Sequence, residues 1–367
     1  MIFLKKNSVY FFLTRFIIAN LSWFKLCFSC FLVICYTSLT PKVVHKYNMN
    51  SLGWALIMKR GCLFCSKETV NIKGTKYIIR DRLAQGGFSL IDLAENATTH
   101  KLYAVKRITC HSIDDQNIAL REIEHCRRID SENVIKVIDY ELKGSADIVI
   151  NTTSDLYIVL PYYKNASLAD HLSMRARKDD HMPEAQILQV FLGICNGLRA
   201  VHEAKPVPLA HRDLKTANIC LSDTFEPIIV DLGSMTEARL QICGQNEAQR
   251  LQDEAEERSS IVYRAPELFS VKSYSTIDER TDIWSLGCVL YAMCFFHCPF
   301  DSVYEKGDSV ALAVLSGNIN IPESSIYSDD MHDLIKYMLR MDPMERPFIY
   351  SVIEKTQDLI HKLDGRV

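Results

Sequence analysis

The chain has 367 residues, 48% apolar and 24% charged, enough to bury a substantial core and build a two-lobed unit with an extra tail. Its net charge of −3 conceals an asymmetry, because residues 1–60 hold eight Lys and Arg and no Asp or Glu, leaving −11 on the remainder. Such an acidic body gives no support for a nucleic-acid partner, whose recognition needs clustered Lys and Arg facing phosphates.

Thirteen cysteines are scattered without a disulfide framework. Three lie in the apolar N-terminus, two form Cys62-Leu63-Phe64-Cys65, and the other eight sit in periodic segments expected to be buried. That usage reads as a reduced, cytosol-facing chain.

Residues 8–39 are dominated by Phe, Leu, Ile and Cys, interrupted by Arg15 and Lys25, and Pro41 ends the run. Three readings compete. A helix over 16–36 is long enough to span a membrane, at the cost of Asn20 and Lys25. A cleaved signal peptide would send the rest into a lumen, where Asn165-Ala166-Ser167 and Asn96-Ala97-Thr98 would become glycosylation acceptors, and it fails on that chemistry. The third reading places residues 1–60 outside the working protein, with its start near Met58.

Gly61-Cys62-Leu63-Phe64-Cys65 bears on the same choice. A glycine freed at an N-terminus accepts myristate, and cysteines close to it accept palmitate, so Gly61, Cys62 and Cys65 are lipidation candidates once a different start exposes Gly61. Two acyl chains hold a protein stably at a membrane where one does not. Two ordinary thiols or a zinc half-site are the plainer readings, and no second CxxC completes a metal site.

From Tyr77 the pattern turns to alternating strands that run through Leu83-Ala84-Gln85-Gly86-Gly87-Phe88-Ser89-Leu90-Ile91 and on to Ala104-Val105-Lys106. The Gly86-Gly87 turn lets backbone N–H groups approach phosphate oxygens that a larger residue would obstruct, although many hairpins carry Gly-Gly for turn geometry alone. A helical stretch follows in which Ile118, Ile123, Cys126 and Ile129 recur on one face, with Glu122 beside it.

The decisive string is His211-Arg212-Asp213-Leu214-Lys215-Thr216-Ala217-Asn218, followed by Ile228-Ile229-Val230-Asp231-Leu232-Gly233 and Ala265-Pro266-Glu267. Here the chain resembles the protein-kinase superfamily, through H-R-D-x-x-x-x-N and a D-L-G form of D-F-G. The resemblance covers residues 76 to about 360. Gly-Gly-Phe-Ser, Asp-Leu-Gly-Ser-Met and the run Asp282-Ile283-Trp284-Ser285-Leu286-Gly287-Cys288 narrow it to the Numb-associated kinase family. Within that family it is most similar to a Golgi-associated member that carries myristoyl and palmitoyl groups.

The resemblance implies an α+β, two-lobed fold: a small antiparallel sheet with one helix over 76–160 and a larger helical lobe over 161–360, preceded by the tail 1–60 and a linker 61–75. It implies transfer of the γ-phosphate of ATP to Ser and Thr hydroxyls of proteins, autophosphorylation included, at the cytoplasmic face of Golgi or perinuclear membranes and in the cytosol.

Asp213 takes the role of base toward the substrate hydroxyl. Lys215 steadies the transferring phosphate, which marks a Ser/Thr enzyme. Asn218 and Asp231 hold Mg2+. Lys106 grips the α- and β-phosphates and pairs with Glu122. Leu83, Gly86, Gly87, Ile91, Ala104, Pro161, Tyr163 and Cys220 surround the nucleotide, with Leu160 as gatekeeper. Pro161 offers only a carbonyl, which is all its hinge position requires, and Tyr163 keeps its N–H. Arg346 is the expected partner of Glu267, and Ser260 stands where a threonine usually links to the catalytic loop. Residues 245–258 read as an exposed helix. The departure lies in the glycine loop, where Ala84 and Ser89 replace the outer glycines and only Gly86 keeps its place. That depletion is the support for the rival reading, a pseudokinase or membrane-anchored scaffold built on the same fold.

Overall fold

The computed structural model describes residues 68–86 and 89–365. Gly87, the lipidation candidates Gly61, Cys62 and Cys65, and the tail 1–60 lie outside the described residues. The small lobe is one antiparallel sheet in the order β1-β2-β3-β4-β6-β5, from β1 (Thr69–Ile72), β2 (Thr75–Gln85), β3 (Ser89–Asn96), β4 (Leu102–Cys110), β5 (Asp139–Asp147) and β6 (Thr152–Pro161). The segment expected as linker thus contains a strand: Thr69 pairs with Ile78 and Ile72 with Thr75, through a tight turn at Lys73-Gly74.

One helix, α1 (Ile113–Arg127), crosses the sheet, started by a capping box in which Ser112 and Asp115 satisfy each other's backbone N–H. Its buried face is Ala119, Ile123 and Cys126; Ala119, not Ile118, takes the central place, and Ile118 is half-buried. Ala119 and Ile123 pack on Leu156, Ile158 and Cys110, which sets the helix register and so the direction of Glu122.

The larger lobe is helical. It contains α2 (Leu168–Ala176), α3 (Glu184–His202), α4 (Gln245–Arg258), α5 (Arg280–Phe295), α6 (Asp301–Glu305), α7 (Val310–Ser316), α8 (Asp329–Met338) and α9 (Ile349–Asp364). Every residue of α5 is buried, as an apolar helix at the centre of a core must be. Gly287 lets α8's trailing chain come close, since a Cβ there would sit 2.8 Å from Leu339 Cδ2.

Short strands fasten the loops: β7 (Leu209–Ala210) with β10 (Thr236–Glu237), β8 (Ile219–Leu221) with β9 (Pro227–Ile229), and β11 (Leu240–Ile242) with β12 (Ser275–Ile277). The helix expected over 245–258 forms, but it is not exposed all round. Ala248, Leu251 and Ala255 bury one stripe against Ile242, Leu268 and Ile277. The cysteine reading also needs amendment, because Cys243 is exposed and Cys220 half-buried while the other six described cysteines are buried.

Arg346 is 2% exposed and holds Glu267 by two hydrogen bonds, Nη1 to Oε1 at 2.8 Å and Nη2 to Oε2 at 3.1 Å. Its remaining N–H groups donate to the carbonyls of Arg280 and Arg340. Removing one partner of such a pair strands a buried charge. Arg346→Met is therefore expected to lower the unfolding free energy by about 3–5 kcal/mol, read as a shift of the urea midpoint, and Glu267→Gln in the same chain to restore part of it.

Candidate active site

Lys106 lies on β4 directly opposite Ile91 of β3 and Ile158 of β6, so the three side chains share the inner face of the sheet. Its Nζ donates to both oxygens of Glu122, at 2.8 and 3.0 Å, and to Asp231 Oδ1 at 2.9 Å. Sheet, α1 and larger lobe meet at one ammonium. Burial alone would lower the Lys106 pKa, but Glu122 and Asp231 outweigh it and hold the amine above the usual lysine range. Burial raises the Glu122 carboxyl against the pull of Lys106, whereas Asp231 is held low, chiefly by Lys106. Asp231 adopts the left-handed backbone (φ 58°), which Asp tolerates better than most residues. Its side chain is 49% exposed while that of Lys106 is 8% exposed, so the aspartate opens toward the cleft.

The loop 211–218 is held from below by a residue that local sequence did not single out for this task. The buried carboxylate of Asp282, at the start of α5, accepts the backbone N–H of His211 at 2.7 Å and of Arg212 at 2.9 Å, and His202 Nε2 of α3 lies 3.0 Å from it. Burial would raise this carboxyl, yet the His202 hydrogen bond and the Arg212 backbone N–H keep it below its ordinary value. That grip sustains a left-handed Arg212 (φ 66°), a conformation a bulky side chain avoids unless its surroundings impose it. Asp213 N–H donates to His211 Nδ1 at 3.3 Å, which leaves the proton of that ring on Nε2, 3.4 Å from the Val230 carbonyl.

Asp213 is fixed by three donors. Ser260 N–H reaches Oδ1 at 2.8 Å; Lys215 Nζ and Asn218 Nδ2 reach Oδ2 at 2.7 and 3.2 Å. Asn218 Nδ2 also donates to the Asp213 carbonyl at 2.9 Å, and Lys215 Nζ to Ser260 Oγ at 2.7 Å. Lys215 thereby ties the loop to the segment before Ala265-Pro266-Glu267. The Ser260 hydroxyl link matches the expectation, while its backbone N–H on the carboxylate was not foreseen.

Around the cleft, Ala104 stands between Leu93 and Leu160, on the same face as Ile91 and Lys106. Pro161 closes β6 opposite Tyr103, and Tyr163 follows, half-buried. Burial, then the nearby Cys220, raises the Tyr163 hydroxyl. Leu83, 43% exposed, lies at a bulge of β2 beside the glycine turn, where Gly86 N–H donates to the Ser89 carbonyl at 2.8 Å. A Cβ at Gly86 would meet Ser89 Oγ at 3.2 Å.

Among the described residues no group of three or more His, Cys, Asp or Glu side chains could hold a metal ion by itself. An open carboxylate at Asp231 and an amide at Asn218 instead suit Mg2+, which takes few protein ligands and completes its octahedron with phosphate oxygens and water.

A two-lobed cleft with one buried lysine bridging two carboxylates, above a loop carrying a clamped aspartate, defines a protein kinase. The model of the protein kinase domain matches residues 77–356, and the chain belongs to that family. It is a serine/threonine protein kinase of the Numb-associated group. Serine/threonine-protein kinase 16 of Rattus norvegicus is 43% identical over 295 residues, which cover 80% of this chain and 94% of that protein. The Homo sapiens protein of the same name is 42% identical over the same spans. Serine/threonine-protein kinase ENV7 of Saccharomyces cerevisiae is 28% identical over 352 residues, 81% of this chain and 96% of that protein. The family uses ATP and Mg2+ and acts on protein substrates.

Burial pushes the Cys220 thiol up to about 11. At pH 8 its thiolate fraction falls about 240-fold below that of a free cysteine near 8.5. Alkylation by iodoacetamide, followed by peptide mass mapping, is expected to leave Cys220 unmodified in the folded chain at pH 8, to rise as pH approaches 11, and to slow further with Mg-ATP.

Proposed function

We propose that Asp213 accepts the proton of a substrate Ser or Thr hydroxyl while Lys106, Asn218 and Asp231 hold Mg-ATP with its γ-phosphate in line. The observation that carries this reading is the assembled set: the Lys106–Glu122–Asp231 cluster is closed, and Asp213 is oriented by Lys215, Asn218 and Ser260. Transfer of this kind needs little covalent work from the protein. Positioning and neutralisation of phosphate charge supply the rate.

Lys215, already bonded to the Asp213 carboxylate, is placed to meet an oxygen of the transferring group. The hydrogen bond between Lys215 and Ser260 sets the base and the hydroxyl-presenting segment in one frame. Adenine fits between Ala104 and Ile91 above and Cys220 below, with the Pro161 carbonyl and the Tyr163 N–H as hinge partners. Leu83, Gly86 and Gly87 would form the flap over the nucleotide; the Gly86 N–H is already donated to the Ser89 carbonyl, so Gly86 would serve by leaving space for the phosphates and not by a hydrogen bond to them. Autophosphorylation on Ser or Thr belongs to the same reading.

The reading extends to place. We infer action at the cytoplasmic face of Golgi or perinuclear membranes, supported by the candidate acylation segment Gly61-Cys62-Leu63-Phe64-Cys65 and by the basic, apolar residues before it. Among the described residues no helix is long and apolar enough to cross a membrane.

Labelled phosphate from Mg-ATP is expected to enter both a generic Ser/Thr peptide and the chain itself. Asp213→Asn should cut turnover by about 10²–10⁴-fold while leaving nucleotide affinity within a few fold. Absence of transfer by the parent chain despite nucleotide binding would make it a pseudokinase.

Lys106→Met should abolish transfer too, and leaves Glu122 and Asp231 facing each other unscreened. A cell in which the Lys106→Met chain still performs the protein's role would identify a scaffold. In fractionated cells, Cys62→Ser with Cys65→Ser is expected to move the chain from membranes to cytosol.

A further inference from the structure

Arg212 brings a buried charge into the catalytic loop. Its Nη2 donates to the Ala238 carbonyl at 3.3 Å, whereas Nε and Nη1 are sealed from solvent and meet no acceptor among the described residues. A guanidinium holds its N–H donors in a fixed fork, and donors left bare away from water cost free energy unless an anion stands near. Burial works against the charged form here, and the carboxylates that oppose it are Asp282, Glu267, Glu254 and Asp278.

Three of those four are committed elsewhere. Asp282 accepts the backbone N–H groups of His211 and Arg212. Glu267 is held by Arg346, and Asp278 takes Arg280 through Nε at 3.0 Å and Nη2 at 2.7 Å. Glu254 is the one that no other cation or N–H claims among the described residues. It is also placed for the task. Leu251, Glu254, Ala255 and Arg258 fall on one side of α4 at three- and four-residue spacing, and they line a cavity of about 20 Å³ that Arg212 and Ser234 line as well. A space so small holds about one water molecule, so the side chains around it stand within a direct or bridged contact of one another. The end of α4 is fixed there: Ser234 Oγ donates to the Arg258 carbonyl at 2.7 Å, and Arg264 Nε reaches Ser259 Oγ at 2.8 Å. Ser234 follows Asp231 by three residues, so the helix is bonded to the turn that presents that aspartate.

We propose that Glu254 is a positioning residue for phosphoryl transfer: its carboxylate supplies the counter-charge of Arg212 across this cavity and so fixes, from α4, the loop that orients Asp213. This deepens the kinase reading above and rests on it. Glu254 is not among the groups that meet nucleotide or hydroxyl in that reading. It acts through Arg212, whose left-handed backbone (φ 66°) directly precedes Asp213. Loss of its charge leaves the guanidinium without an anion of its own and loosens the turn on which the base rides, while the Lys106–Glu122–Asp231 cluster stays closed. The rate constant falls, and the hold on ATP does not.

The test is steady-state transfer from Mg-ATP to a soluble Ser/Thr peptide by the full chain, by its Glu254→Gln, Glu254→Asp, Arg212→Gln and Glu257→Gln variants, and by the Glu254→Gln/Arg212→Gln pair. Glu254→Gln is expected to lower kcat about tenfold and to leave the KM for ATP within about twofold. Glu254→Asp keeps the charge and should recover part of the loss, and Glu257→Gln, exposed on the same helix, should match the parent. In the pair, the second substitution should cost little beyond the first, because both remove one contact. Where Arg212→Gln does not fold, Glu254→Ala decides: sodium formate should restore part of its kcat, and neutral formamide none. A Glu254→Gln chain with parental kcat overturns the inference, as do losses at the two sites that simply add, or a Glu254→Ala chain indifferent to formate. A loss confined to the KM for peptide assigns Glu254 to substrate binding and overturns it too. A parent that transfers no phosphate fails the proposed function, and this inference with it; a parent that transfers normally beside an equal Glu254→Gln chain fails this inference alone.

Discussion

The structure hangs on one buried ammonium between two carboxylates. Lys106 arrives on a strand, Glu122 on the helix across that strand, and Asp231 on the turn after β9 of the other lobe. Take away the cation and two like charges face each other at the edge of the cleft; take away either carboxylate and the cation loses part of what offsets its desolvation. The relative placement of sheet, α1 and larger lobe is therefore an electrostatic condition as much as a packing one. Gly233 belongs to the same condition, because a Cβ there would stand 3.3 Å from Glu122 Oε2 and press on the cluster.

A second constraint sits beneath the first. Arg212 and Asp231 both occupy the left-handed region, and each is held there by a group distant in sequence, Asp282 and Lys106. Asp282 takes two consecutive backbone N–H groups of the loop, and it is itself shielded and oriented by His202. The loop that carries Asp213 is thus rigid before any ligand arrives, which is what a positioning mechanism requires.

What could be read from the sequence was what is local. Asp213, Lys215 and Asn218 fall within one short loop, and Asp-x-Gly closes one strand, so their spacing alone carried the chemistry. Lys106 was unreadable by itself, since a strand lysine is commonly a solvated edge residue, and it gained meaning only from the string that follows a hundred residues later. The support from Asp282 and His202 and the Ser260 N–H on Asp213 left no local signal, because each joins residues tens of positions apart. β1 hid inside a segment read as linker: Thr69-Val70-Asn71-Ile72 alternates, but over four residues only, too short a run to announce a strand. The helix α4 was legible as a helix but not as a packed one: its buried stripe rests on two alanines and one leucine, too faint a period to announce a partner.

That faint stripe matters beyond packing. Between Asp231 and Glu267 many residues must be ordered for the cleft to present a peptide. Here α4 docks on Ile242, Leu268 and Ile277, β11 zips to β12, and Ser260 is roped to the loop through Lys215. Order in this stretch comes from its own small core, so it has no need to wait for an incoming charge. A cleft wired this way is assembled before any substrate arrives, so selectivity falls to which hydroxyl-bearing segments fit the frame that Lys215 and Ser260 set.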